Sequence, residues 1–267
     1  MEILLTHEGL IRLSVFAAAL IVFAVLEAAW PRKVRSQKRG PRWLSNLALV
    51  GIDTLVLRVL FPVVAVGVAA FASTQGWGLF NYLALPIWLE IALAVIVLDM
   101  LIYWQHRLFH AVPFFWRFHK VHHADRDLDV SSGVRFHPVE IVFSMAYKII
   151  CVLILGPAVA AVILFEIILN ASALFNHANI RLPAWLDQVM RKLIVTPDFH
   201  RVHHSIQMRE SNQNFGFCLS IWDHLFGSYT AQPEGGHDGM VIGLSEAQTD
   251  DPNHLIWSLT LPFKSTK

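Results

Sequence analysis

Long apolar runs constrain this chain before any motif does. Gly9 to Trp30 is apolar over a length that spans a bilayer, and so is Leu44 to Phe71. A third run goes from Pro86 to about His110, and a fourth from His137 to Asn176, broken by Gly156-Pro157. With 55% hydrophobic and 15% charged residues, the chain is too oily for an ordinary soluble domain. The first run outlasts the apolar core of a signal peptide, and no small-residue cleavage site follows it. A basic segment follows instead, holding Arg32, Lys33, Arg35, Lys38, Arg39 and Arg42. Such a cluster beside a span marks the cytoplasmic side, which puts the N-terminus outside. We read the cluster as a topology signal, with Trp30 and Trp43 as interfacial anchors.

The second run carries Asp53 and Arg58, charges that at membrane depth are paired or face the protein interior. Residues 72–84, with Gly76, Gly78 and Asn81, read as a short loop on the far side. The third run then returns to the basic side. Pro113 ends that helix, and Phe114 to His123 mixes aromatic and basic residues as an interfacial helix does. Residues 124–136, with Asp125, Arg126, Asp127, Asp129 and Gly133, read as a polar loop. Each half of the fourth run is short for a full crossing, so it reads as a helical hairpin that dips in and returns. The fold class is therefore an all-α integral membrane protein, with three transmembrane helices, an intramembrane hairpin and a cytoplasmic helical cap. It makes one domain over 1–267: spans in 9–110, an interfacial segment in 111–137, the hairpin in 138–177, the cap in 178–230 and a tail in 231–267. Leu255 to Phe263 offers a last interfacial helix.

The histidines give the chain its chemistry. Trp104 to His123 reads W-Q-H-R-L-F-H-A-V-P-F-F-W-R-F-H-K-V-H-H, with His106 and His110 four apart and His119, His122 and His123 as H-x-x-H-H. A second H-x-x-H-H follows at His200, His203 and His204. Positions three and four apart share a helix face, so each cluster aims its rings at one point. Imidazole binds iron, copper, zinc and nickel. Eight such nitrogens are too many for one tetrahedral zinc and enough for two metals. A transporter would hold its ligands near mid-membrane, whereas these lie at helix ends. A catalytic zinc needs three protein ligands, so eight would be superfluous there too.

Other residues gather around this pattern. Asp99, Tyr103, His106 and His110 fall on one helical stripe, as do Glu166, Asn170 and His177. Asp99 is placed to orient a ligand, as are Asp198 and Asp223, because a metal-bound imidazole needs an acceptor for its other N–H. His177 continues a polar stripe and is the candidate ninth ligand. His137 is a further candidate ligand; it precedes Pro138 and also suits a helix start or the substrate mouth, with Glu140 bonding back as in a capping box. His224 reads as structural, and His7, His237 and His254 as solvated. Cys151 and Cys218, both in apolar settings, make neither a disulfide framework nor a thiolate site. A net charge of +1 gives no argument for nucleic acid.

In this order, H-R-L-F-H, H-K-V-H-H, R-F-H-P-V-E, F-N-H-A-N and F-H-R-V-H-H resemble the fatty acid hydroxylase/sterol desaturase superfamily, from about Asp99 to Tyr229. The resemblance implies a membrane oxygenase with two iron ions that uses O2 and two electrons to hydroxylate or desaturate a lipid. It implies His106, His110, His119, His122, His123, His200, His203 and His204 as metal ligands. No H-P-G-G haem signature is present, so the electrons are expected from a separate donor of ferredoxin or cytochrome type.

Overall fold

The computed structural model describes residues 7–61 and 63–264. Pro62, inside the second expected span, and the ends of the expected 1–267 domain (1–6 and 265–267) lie outside the described residues. The helices are α1 (Glu8–Ala29), α2 (Arg39–Leu60), α3 (Ala65–Gln75), α4 (Leu79–Leu83), α5 (Ile87–Ala111), α6 (Pro113–His123), α7 (Pro138–Leu155), α8 (Val159–His177), α9 (Ala184–Met190) and α10 (Pro197–His203). Shorter helical turns follow to Phe263. No strand occurs among the described residues; three isolated antiparallel bridges, such as Pro31 with Ile180, tie segments together.

Five stretches are long and apolar enough to cross a membrane, with Arg39–Leu83 counted as one. The protein is a multi-pass membrane protein. Its spans leave large apolar side chains outward, among them Ile21, Val25, Leu55 and Ile154, as lipid-facing helices do. The core lies between α3, α5, α7 and α8, where Ala65, Ala69, Ala94, Leu98, Val152 and Val162 are buried. Small residues there let the helices approach closely.

Two expectations about the spans change. The second span does not run unbroken to Phe71: α2 stops at Leu60 and α3 resumes at Ala65, so residues 72–84 are largely helix rather than loop. The hairpin is also deeper than expected. Its halves have 18 and 19 residues, about 27–29 Å at 1.5 Å per residue, close to a bilayer core. Its turn packs against the start of α5, where Ala158 N donates to Glu90 Oε1 at 2.7 Å. Glu90 lies sixteen residues before His106 on that helix, about 24 Å along the axis. Gly156 takes the left-handed conformation (φ +57), and a side chain there would strike the Trp77 carbonyl. The hairpin turn therefore sits at the end of the bundle opposite the histidines.

The acidic segment after α6 is buried, against expectation. Asp125 and Asp129 receive Arg42 from the start of α2, at 2.7 Å each. Arg42 also reaches the Asp127 carbonyl, and the side chains of Arg42, Asp125 and Asp129 are at most 2% exposed. Burial works against the Asp125 carboxylate, but Arg42 and Arg135 outweigh it and hold its pKa at about 2. Arg42 is thus a structural cation. Trp43 likewise donates to Asp129 Oδ2 (3.2 Å) under the Arg39 guanidinium.

Candidate metal centre

Three helix ends and one helix after a loop bring nine imidazoles together. Helix α5 presents His106 and His110 in its last two turns, and α6, begun by Pro113 at its first position, folds back with His119, His122 and His123. Helix α8 ends on His177. Helix α10 starts at Pro197, with the Thr196 hydroxyl accepting from Phe199 N, and delivers His200, His203 and, just beyond it, His204. Gly133 allows this convergence, because a side chain there would collide with the Ala173 carbonyl of α8. That carbonyl in turn accepts from His177 Nδ1 at 2.7 Å.

The rings form two groups whose candidate donor atoms all lie within 4.8 Å of one another: His106, His110, His119, His123 and His203, and then His122, His177, His200 and His204. Eight of the nine are buried and His110 is partly so. The eight cluster histidines lie together, and His177, the candidate ninth ligand, lies in the second group. His137 stands apart. Its Nδ1 accepts from Val139 N (3.1 Å) and its Nε2 faces the Leu259 carbonyl (3.2 Å), so it starts α7 and pins the tail.

Hydrogen bonding settles which nitrogen four of the rings offer. Carbonyl oxygens only accept, so His106, His122, His177 and His203 must donate through Nδ1 to Phe215 O (2.8 Å), Arg135 O (3.2 Å), Ala173 O and Gln213 O (2.8 Å). A neutral ring protonated at Nδ1 is bare at Nε2. Yet His122 and His177 face each other Nε2 to Nε2 at 3.1 Å, and His200 and His204 meet the same His177 nitrogen at 3.1 and 3.2 Å. In the other group His203 Nε2 is buried with no partner. Bare nitrogens so placed repel; a cation between them reverses the sign. The spacing fits two ligands about 2.0–2.1 Å from one ion at angles between right and tetrahedral. The residues present therefore fit a metal in each group.

Burial also keeps these rings neutral. It lowers the His119 pKa to about 3 and holds His122, His123, His200, His203 and His204 well below the ordinary imidazole value. In metal-free protein the folded state then binds fewer protons than the unfolded chain below about pH 6.5. Stability of the metal-free form should fall as pH drops from 7 to 5, read as its thermal aggregation temperature. A flat profile over that range would contradict the neutral cage.

The acidic residues expected beside the metal act at one remove. Asp99 touches no imidazole: it accepts from Cys218 N, Leu219 N and Trp222 Nε1 at 3.1, 3.0 and 2.8 Å. Asp223 accepts from Phe215 N and Gly216 N at 2.8 and 2.6 Å, and burial pushes its pKa up to about 6. Both carboxylates fix the 213–219 loop whose carbonyls hold His106 and His203. Tyr103 joins them through Ser228 at 2.7 Å. Asp198 pairs with Arg32 at 3.0 Å, with His237 Nε2 nearby at 3.8 Å; His237 is buried rather than solvated. Asn170 lines a cavity described below.

Among the described residues, the carboxylate that meets an imidazole of the two groups is Glu140, whose Oε1 lies 2.6 Å from His119 Nδ1. We read Glu140 as a capping-box partner from the sequence, but it turns inward because α7 packs against α6. Its place three residues after His137 in H-P-V-E was the available signal. Glu140→Gln should weaken metal retention or activity by about 10–100-fold, measured as metal released to a chelator over time.

A cavity of about 560 Å³ runs from this cage between α1, α2, α5, α7 and α8. It touches both groups, through His106 and His119 of one and His122 and His200 of the other.

Fold and site together define a multi-pass membrane protein with a buried histidine centre able to hold metal. The fatty acid hydroxylase profile matches residues 91–228, just over half of the 267 residues, and the chain belongs to that family. It is 27% identical over 226 residues to the ornithine lipid hydroxylase OlsE of Rhizobium tropici, covering 82% of this chain and 67% of that one. It is 28% identical over 146 residues to human alkylglycerol monooxygenase, covering 53% and 31%. To the very-long-chain aldehyde decarbonylase GL1-5 of Oryza sativa it is 24% identical over 192 residues, covering 66% and 30%. The chain thus spans about a third of the length of the human and rice relatives. No solved structure matches it.

Proposed function

We propose that the chain is an O2-dependent oxygenase that hydroxylates a membrane lipid at two iron ions, one in each histidine group. The facing bare nitrogens of His122 and His177, with His200 and His204 meeting the same His177 nitrogen, carry this reading, because protonation cannot satisfy rings buried this deeply. Two irons held there would supply the oxidising power for an unactivated C–H bond, which side chains lack. The relatives point the same way, since their names include a lipid hydroxylase and a monooxygenase.

The chain's own residues do the rest. Carbonyls of Phe215, Arg135, Ala173 and Gln213 keep the rings aimed inward, and Glu140 orients His119. The cavity reaches both groups, so a lipid lying in it presents one carbon between them. Phe16, Phe109, Phe136 and Phe217 on the cavity wall limit access of bulk water to that position. Electrons come from a separate donor protein of ferredoxin or cytochrome type.

The basic segment after α1 and the histidine segments share one end of the bundle: Arg32 holds Asp198, and Arg42 holds Asp125. Under the positive-inside rule that end is cytoplasmic, and the N-terminus lies outside. A reporter fused after Tyr229 should read as cytoplasmic; an exported reading reverses the orientation.

The function is tested by lipid profiling of cells with and without the gene, alongside elemental analysis of purified protein. A lipid heavier by one oxygen, present only with the gene and lost in His122→Ala, is expected. Unchanged lipid profiles under aerobic growth with iron-loaded protein would overturn the reading. A lipid lighter by two hydrogens would replace hydroxylation with desaturation.

A further inference from the structure

The cavity that reaches the histidines is not lined as a fatty acyl chain alone would require. It holds several charged side chains inside the bundle, and their pairing is unequal. The cations are matched: Arg12 lies 2.9 Å from Glu166 and 3.4 Å from Glu8, and Lys148 lies 2.8 Å from Glu166. The carboxylates of Asp53 and Glu140 are not. Asp53 is 7% exposed and faces the cavity, yet its Oδ1 has no hydrogen-bond partner among the described residues. Glu140 is 4% exposed; one oxygen holds His119, and the other, Oε2, is buried without a partner. Both side chains line the same cavity.

A buried carboxylate oxygen without a donor is costly, and burial of such a charge is tolerated where a ligand completes it. An acyl tail, an ether oxygen or a carbonyl offers no donor. A protonated amine offers three N–H donors and a compensating charge. We propose that Asp53, with Glu140 Oε2, recognises a cationic primary amine in the headgroup of the lipid substrate, so that the lipid enters amine first. This rests on the lipid-hydroxylase reading and sharpens it. Because Glu140 lines the cavity and bonds His119 with one oxygen, an amine held by it brings its neighbouring carbons close to the histidine cage. The oxidised position then lies in or beside the headgroup rather than far along the tail. Gln105, bonded to Ser144 at 2.8 Å on the same wall, extends this polar end.

The experiment reads binding rather than turnover. Detergent-purified, metal-loaded protein is equilibrated with equal amounts of tetradecylamine, N-acetyltetradecylamine and tetradecan-1-ol, and the retained amphiphile is quantified by mass spectrometry. The wild type should retain the amine at least about tenfold over the other two, the advantage of a charge-assisted hydrogen bond. Asp53→Asn should bring the three close to equality at unchanged metal content, and Asp53→Glu should restore part of the preference. Equal retention by the wild type, or full amine preference in Asp53→Asn, would overturn the proposal. If Asp53→Asn fails to fold, the wild-type comparison alone decides. Amine preference without any oxygenated lipid in cells would remove the hydroxylase reading and leave this one standing; an oxygenated lipid without amine preference would do the reverse.

Discussion

Replacing His177 with alanine should remove about half of the bound metal and lower turnover by more than about 100-fold, since a four-donor group has no ligand to spare. The two groups are unequal in this respect. His122, His177, His200 and His204 make one; the other has His106, His110, His119, His123 and His203. His177 is central in its group, its Nε2 lying 3.1–3.2 Å from those of His122, His200 and His204. His110→Ala removes the one partly exposed donor of the five and should retain more metal than His177→Ala. His137→Ala should retain all of it, because that ring bonds Val139 N and faces Leu259 O instead. Elemental analysis of the three purified variants checks the order. Full metal in His177→Ala, or loss in His137→Ala, would exchange the roles assigned to the two rings.

The two H-x-x-H-H clusters were legible because their spacing is local: three and four residues along a helix put rings on one face whatever the tertiary fold. The apolar runs were legible for a similar reason, since length against bilayer thickness needs no partner. His177 was found through its stripe with Glu166 and Asn170, but its membership in the second group depends on how α8 meets α6 and α10. The acceptors of the ring N–H groups could not be read at all. Phe215 O, Arg135 O, Ala173 O and Gln213 O are backbone atoms, which every residue supplies. Asp99 and Asp223 were noticed for the right reason and given the wrong neighbour. They hold the loop that supplies two of those carbonyls. The break between α2 and α3 had a signal in Pro62, a helix breaker that the length of the apolar run outweighed; the depth of the hairpin was hidden in two runs that each look short.

The acidic segment 124–136 was misread because polar content alone suggests solvent. Its carboxylates alternate at Asp125, Asp127 and Asp129, and the complementary charges stand far upstream in the basic cluster. The cost of that arrangement shows in what happens when it is broken. Arg42→Ala should destabilise the protein by about 3–5 kcal/mol, the range for leaving one side of a buried ion pair uncompensated. Arg42 has 1% of its side chain exposed, Asp125 2% and Asp129 none, so water cannot take over. The Asp127 carbonyl and the Ser132 hydroxyl lose the same donor. Arg209→Ala is the control, since Arg209 and its partner Glu234 are 65% and 62% exposed; such surface pairs contribute about 0–1 kcal/mol. The damage should also reach the metal centre. Asp125 lies two residues after His123, and the same network reaches Arg135, whose carbonyl holds His122. Arg135 in turn bonds Asn46 on α2 at 2.7 Å. Thermal aggregation should therefore come at a markedly lower temperature in Arg42→Ala than in Arg209→Ala, with faster release of metal to a chelator before the protein unfolds. An Arg42→Ala protein as stable as the control would mean that the acidic segment is held by its own hydroxyl and backbone bonds, with the arginine redundant.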